Sequence, residues 1–528
     1  MLRPVIALVP ALLLAATTAA AQEHAHAHRE HAGGRLGTVA FPNSGAAAAQ
    51  PAFLRGIALL HSFSYTDAAE AFREAQRADP AFALAYWGEA LTYTHPLWGE
   101  EDVTASRAVL ARLGATAAER LAKAPTERER GFGAAVEALY ADTDRQTRIT
   151  GFVEGMRTLA ARHPDDLELS AFAAIAVLAG SGYRGDDRGA VVAEAAALAQ
   201  KVFEANPDHP GAAHYLIHAY DDPSLAKNGV AAARAYAQIA PDAEHALHMP
   251  SHIFVQLGLW DDAATSNERA WAASRAWAAA KRQPATELDF HALAWLQYAY
   301  LQQGRHAAAR ALIDTARAVL AGADVGGPGG VDALYAVPAM EFMQAMETGA
   351  WDASAAVTLP QAGPPANVRA QFFGTLAVYR AAAAAAMRGD AAAAEAAAQR
   401  LRANAGGAYT GPIAGLAASL DALALRARGD REGALAKLAE ASRMEQAVPP
   451  TGPPAHIPSD ELLGALLLDA GNAAEAAAAY ERALALRPNR PAALLGLARA
   501  RAAAGDRAAA ADAYRRLLAA WHAADPAL

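Results

Sequence analysis

One pattern of small, aromatic and proline residues recurs along the chain and limits the fold more than any other feature. Gly56, Ala68, Phe72, Ala75 and Pro80 are spaced as Gly464, Ala476, Tyr480, Ala483 and Pro488 are. Ala510 and Tyr514 then follow Ala476 and Tyr480 at a displacement of 34 residues. Gly258, Ala263 and Ala270, and later Gly304 and Ala309, mark further units. This period suits a helical hairpin. A small residue lets two helices approach, an aromatic fills the gap, and proline ends the second helix. Alanine supplies much of the 54% hydrophobic content, and ordering it in a helix costs no side-chain entropy. With 528 residues the chain is too long for one ordinary core. Stacked hairpins solve that problem, because each unit buries its apolar face on its neighbours.

The crossing glycines, the aromatics and the closing prolines resemble the tetratricopeptide-repeat (TPR) superfamily over nearly all of the chain after Pro51. The resemblance implies an all-α fold, a TPR-type right-handed α-solenoid of stacked helical hairpins with a concave groove. His209 to Trp260 is similar to a narrower group, exported bacterial TPR proteins with a histidine-rich central region. Its residues read HPGAAHYLIHAYDDP and then APDAEHALHMPSHIFVQLGLWDD. That likeness implies a fold and no activity. Two stretches unfit for a helix, AGADVGGPGG from Ala321 and PPTGPPAHIP from Pro449, divide the array. The expected parts are an N-terminal solenoid over 51–320, middle helical repeats over 331–448 and a C-terminal TPR pair over 459–528.

Residues 1–21 read as a signal peptide. Arg3 gives the positive start, Val5 to Leu14 the apolar run, and Ala19-Ala20-Ala21 a small-residue cleavage site before Gln22. The mature protein is expected to be periplasmic or secreted, without a membrane span. Residues 22–50 read as a flexible arm carrying His24, His26, His28 and His31; a solvated tail is the preferred reading over a metal chelator. The formal charge of −9 leaves no basic footprint for nucleic acid. Cysteine is absent, so any metal must be held by histidine, carboxylate or water.

Histidine carries the strongest chemical signal. His214 and His218 are spaced HxxxH, as are His248 and His252, and the two pairs stand 34 residues apart. His61 and His95 are separated by the same 34 residues, as are Asp208 and Asp242. Residues i and i+4 share a helix face, so each pair presents two imidazoles together. The TPR resemblance implies that these positions, with His245 and His291, face the groove. Packed helices lie about 8–10 Å apart, so both pairs can converge on one ion, assisted by His245. Neutral imidazole suits Zn, Cu, Ni or Fe. Asp221, Asp222, Asp242 and Glu244 are candidate partners for the free ring nitrogens. His61, His95, His209 and His291 are possible groove contacts, although His209, before Pro210, also suits a helix start. Pro250 threatens the geometry of the second pair by kinking its helix. Tyr93 to Trp98 reads as an aromatic end to the groove or as a loop whose tryptophan packs down.

Two functions compete. The first is transition-metal binding at the groove histidines. The second is a peptide- or protein-binding scaffold of the cell envelope without metal or catalytic activity. HxxxH without a following glutamate is not a zinc-protease helix, and no phosphate loop or haem-attachment motif is present. Binding is favoured over catalysis, and no reaction is assigned.

Overall fold

The computed structural model describes residues 34–180, 188–325, 330–352, 368–404, 410–448, 450–526 and 528. The expected signal peptide and the histidines at 24, 26, 28 and 31 lie outside the described residues. Among the described residues, helices follow one another from Gln50–His61 to Arg507–Ala520, most of them packing on the next. This is an all-α TPR-type solenoid. Its one strand pair among the described residues is the two-residue ladder Thr94–His95 with Glu100–Glu101. No described helix is long and apolar enough to cross a membrane.

The recurring sequence pattern works as its chemistry suggests. The Phe72 ring lies between Gly56 and Gly88; a Cβ on either would come within 2.7 or 2.6 Å of it. Tyr480 occupies the same place between Gly464 and Gly496, and a Cβ on Gly464 would stand 2.8 Å from its ring. Alanine at these crossings would therefore push the helices apart. Capping is local and regular. Thr116 and Thr126 close reciprocal capping boxes with Glu119 and Glu129, which satisfies otherwise orphaned helix donors.

Three stretches depart from the expected division. Gly34 to Ala46 is not a free arm: Leu36 and Phe41 are buried, and Thr38 N donates to Asp208 O at 2.9 Å. The Pro450–Pro458 stretch, expected as a break in the array, is docked on the N-terminal helices. Pro450 O accepts from Gln256 Nε2 at 2.5 Å, and Gly452 packs on the Trp295 ring. The C-terminal pair does not simply extend the stack. Trp260 Nε1 donates to Asn489 O at 3.0 Å, and Asp525 N to Gly304 O at 3.0 Å. Arg490, 1% exposed, pairs with Glu347 at 2.7 Å and with Glu461. Apart from Arg490–Glu461, which lies within the C-terminal repeats, sequence spacing could not anticipate these contacts, since each joins residues more than a hundred positions apart.

Candidate metal centre

Four short elements bring the histidines together. His214 and His218 lie on the helix Pro210–Tyr220, and His245 and His248 on Glu244–His248. His252 lies on Pro250–Leu257 and His291 on Phe290–Gln302. Pro250 does divide the second pair's helix, but Met249 keeps helical angles across the junction. His248 and His252 therefore still face each other.

The five expected ligands do not form one group. They divide between two, each HxxxH pair joined by a histidine from another helix. One is His214, His218 and His245; the other is His248, His252 and His291. Within each group the ligand atoms lie within 4.8 Å of one another. His245 and His248 are three residues apart on one helix yet serve different groups. The groups adjoin: His218 and His252 have ring centroids 6.1 Å apart, as do His245 and His248.

Hydrogen bonds fix which ring nitrogens carry protons. His214 Nδ1 lies 2.7 Å from His61 O, a backbone carbonyl that only accepts. Its Nδ1 is thus the donor, and in the neutral ring its Nε2 holds a lone pair. That Nε2 stands 3.0 Å from His218 Nε2 and 3.2 Å from His245 Nε2. In the second group, His248 Nδ1 donates to Asn267 Oδ1 at 2.7 Å. The amide is oriented by Asn267 Nδ2, which donates to Ala263 O at 2.8 Å. His252 Nδ1 donates to Asp221 Oδ2 at 2.7 Å. His248 and His252 therefore both turn Nε2 lone pairs toward each other, 3.2 Å apart. Nitrogens bonded at about 2.0–2.1 Å to a tetrahedral ion stand about 3.3 Å from one another, close to the spacings here.

The surroundings are apolar and aromatic. Phe63 meets His214 edge-on at 4.3 Å and stacks on His245 at 5.5 Å. Trp98, at the turn of the Thr94–Glu101 hairpin, meets His245 at 5.8 Å. Trp295 lies 4.4 Å from His252 and 5.1 Å from His248. His214 and His248 are fully buried, whereas His291 is exposed. Burial lowers the pKa of His214 to about 3 and holds His218, His245 and His248 well below the ordinary value of 6.5. Neighbouring histidines push these pKa values in the same direction. These imidazoles are accordingly neutral, the form that binds metal.

A third cluster, His61, Glu168 and His209, is also compact enough for an ion, but its bonds are satisfied without one. His209 caps the helix Pro210–Tyr220: its Nδ1 accepts from Ala212 N at 3.1 Å. Its Nε2 then carries the proton and donates to Glu168 Oε1 at 3.2 Å. His61 places Nε2 3.0 Å from Glu168 Oε2 and Nδ1 2.8 Å from Tyr215 Oη. Burial opposes ionisation of Glu168, yet the hydrogen bonds from His209 and His61 outweigh it and hold the carboxyl well below the usual range. This is a buried hydrogen-bonded network, and through His61 O it orients His214. His95 is separate from all three clusters; it stacks on Tyr65 at 4.1 Å and its Nδ1 lies 3.2 Å from Glu100.

Of the four expected carboxylate partners, Asp221 bonds one of these histidines, His252. Asp222 accepts from Ser224, and Asp242 from Arg35 N at 2.6 Å. Glu244 keeps a buried Oε2 with no hydrogen-bond partner, and burial raises its pKa to about 8. Asn267 was not anticipated. Its only sequence signal is a polar residue in the apolar stripe Ala263, Asn267 and Ala270, all three buried.

Residues 467–526 match a family model described as the tetratricopeptide repeat. No curated protein sequence matches the chain. Among solved structures it is similar to the human IFIT1 dimer with m7Gppp-AAAA, at 13% identity and a TM-score of 0.40, over 92% of each chain. It is also similar to the APC/C hetero-tetramer Cut9-Hcn1, at 12% identity and a TM-score of 0.38, over 86% of this chain and 76% of that one. These likenesses concern the fold alone. A TPR-type solenoid is consistent with protein binding.

Proposed function

We propose that this chain is an exported TPR-type scaffold that holds transition-metal ions at its clustered histidines. One ion is assigned to His214, His218 and His245, and a second to His248, His252 and His291. The facing Nε2 lone pairs of His248 and His252, 3.2 Å apart and each fixed by a bond at Nδ1, carry the reading. Two acceptors at that distance repel each other unless a cation lies between them. A proton on His252, whose Nδ1 faces the Asp221 carboxylate, is the other cation able to fill the gap, and metal analysis separates the two.

Uncharged imidazole donors suit Zn, Cu, Ni or Fe. Three nitrogens per ion leave a further position for water or a ligand. Metal-dependent chemistry would need that position, and no reaction is assigned. Export rests on Arg3, the apolar run to Leu14 and Ala19-Ala20-Ala21; an intact Met1 on envelope protein would contradict it.

The decisive comparison is metal content near pH 7.5 for protein lacking residues 1–31, before and after His214→Ala with His248→Ala. The expected result is stoichiometric metal lost in the double variant with helicity retained. Absence of metal from the unsubstituted protein, after exposure to Zn, Cu, Ni and Fe, overturns the reading. The TPR match at 467–526 favours a second reading as a protein-binding scaffold. Under that reading the double variant would instead weaken a protein partner.

A further inference from the structure

Beside the second histidine group lies a cavity of about 410 Å³ whose walls are mostly apolar. His291 and Trp295 stand on one side of it; Met340, Met343, Phe372 and Leu376 form much of the rest. A volume in this range suits a small organic ligand. The helix Val368–Met387 also turns Arg380 into this lining, with the residue only 9% exposed. Arg380 Nε donates to Ala455 O at 3.2 Å.

No carboxylate pairs with Arg380 among the described residues. Of the acidic residues lining the cavity, Glu445 is held by Arg487 at 2.7 Å and lies 3.4 Å from His456, and Asp332 has interactions of its own. Among the described residues, Arg380 therefore brings a buried positive charge to an apolar cavity without a carboxylate partner. Burial lowers its pKa to about 10, so the guanidinium remains charged near neutral pH. An uncompensated buried charge destabilises the fold, and a bound anion removes that cost.

We propose that this cavity binds a small amphipathic carboxylate, its carboxylate on Arg380 and its apolar body against Met340, Met343 and Phe372. A single guanidinium matches a planar monoanion through two parallel hydrogen bonds. A phosphate dianion would leave one buried negative charge unneutralised. His291 lines the cavity, so the ligand would lie next to the second histidine group. Binding itself needs only the cavity and Arg380, and does not depend on the metal reading.

Titration calorimetry of the full mature chain tests this, run on chelator-treated, metal-free protein and repeated with Zn. The probes are octanoate, octanol and octyl phosphate. Octanoate should bind at least tenfold more tightly than octanol, with or without Zn. Arg380→Gln should weaken octanoate about 30-fold or more, the range found on removing one partner of a buried charge pair, and leave octanol unchanged. If Arg380→Gln does not fold, Arg380→Lys replaces it, with about a tenfold loss expected for octanoate alone. Octanoate binding no tighter than octanol, or unchanged in the folded arginine variants, overturns the proposal. So does tighter binding of octyl phosphate, or no octanoate binding at millimolar concentration. Failure of the metal reading alone would leave the metal-free octanoate result intact.

Discussion

Asn267 offers the sharpest separation between the two histidine groups. Its Oδ1 accepts from His248 Nδ1 at 2.7 Å, and the residue is fully buried. Asn267→Ala removes that acceptor and leaves a buried N–H unpaired. Loss of the group that orients a ligating histidine lowers metal affinity about 10- to 100-fold. That range corresponds to about 1.4–2.8 kcal/mol. The loss should fall on the second ion alone, because His214 is oriented by His61 O, on a different helix. Asn267→Asp retains an acceptor and adds charge, making the imidazole more basic, so it should hold the second ion at least as tightly. The assay is competition with a chromophoric chelator, resolving two affinities per chain. Equal weakening of both ions, or an unchanged second affinity in a folded Asn267→Ala protein, would refute the assignment of Asn267 and the division into two groups.

Further outcomes are expected elsewhere. Glu244→Gln should stabilise the metal-free protein by about 1–3 kcal/mol at pH 7.5, because the folded state must keep on Glu244 a proton that the unfolded chain has released. Glu244's pKa is raised in the folded state, so its ionisation opposes folding increasingly from pH 4.5 up to about 8; the benefit should shrink at pH 5, and a melting series that is flat with pH would contradict this. Arg490→Ala should destabilise by about 3–5 kcal/mol by leaving Glu347 and Glu461 buried without their cation; a denaturant midpoint unchanged from the parent would show that the C-terminal pair is an independent appendage. His214 remains neutral in the fold down to about pH 3, whereas an unfolded histidine gains its proton near pH 6.5. The unfolded state then binds more protons, so metal-free stability should fall from pH 6.5 toward pH 4. His214→Asn should make that fall shallower, and an identical slope would refute the buried neutral form.

The solenoid was legible because its determinants are local. Phe72 between Gly56 and Gly88, and Tyr480 between Gly464 and Gly496, repeat a steric arrangement that spacing alone reveals. The two HxxxH pairs were legible for the same reason, since four residues return a helix to one face. Their division was not. Whether His245 joins His214 or His248 depends on how Glu244–His248 is rotated against its neighbours, and periodicity does not encode that rotation. The third histidine of the second group, His291, comes from a different helix beyond the long helix Trp260–Lys281. The groove implied by the TPR resemblance also differs in exposure. His61, His209, His214 and His248 are at most 1% exposed, because helices and aromatic side chains close over them. Glu168 gave no sequence signal, since its role requires His61 and His209 from distant helices to meet it. The docking of Arg490 on Glu347 is equally non-local.

The most direct measurement is anomalous diffraction at the absorption edge of the bound metal, on protein lacking residues 1–31. Two peaks per chain are expected. One should lie about 2 Å from the Nε2 atoms of His214, His218 and His245, the other inside the group of His248, His252 and His291. No peak should lie among His61, Glu168 and His209. Absence of both expected peaks from metal-supplemented crystals, or a metal peak only at Glu168, would contradict the proposed centre.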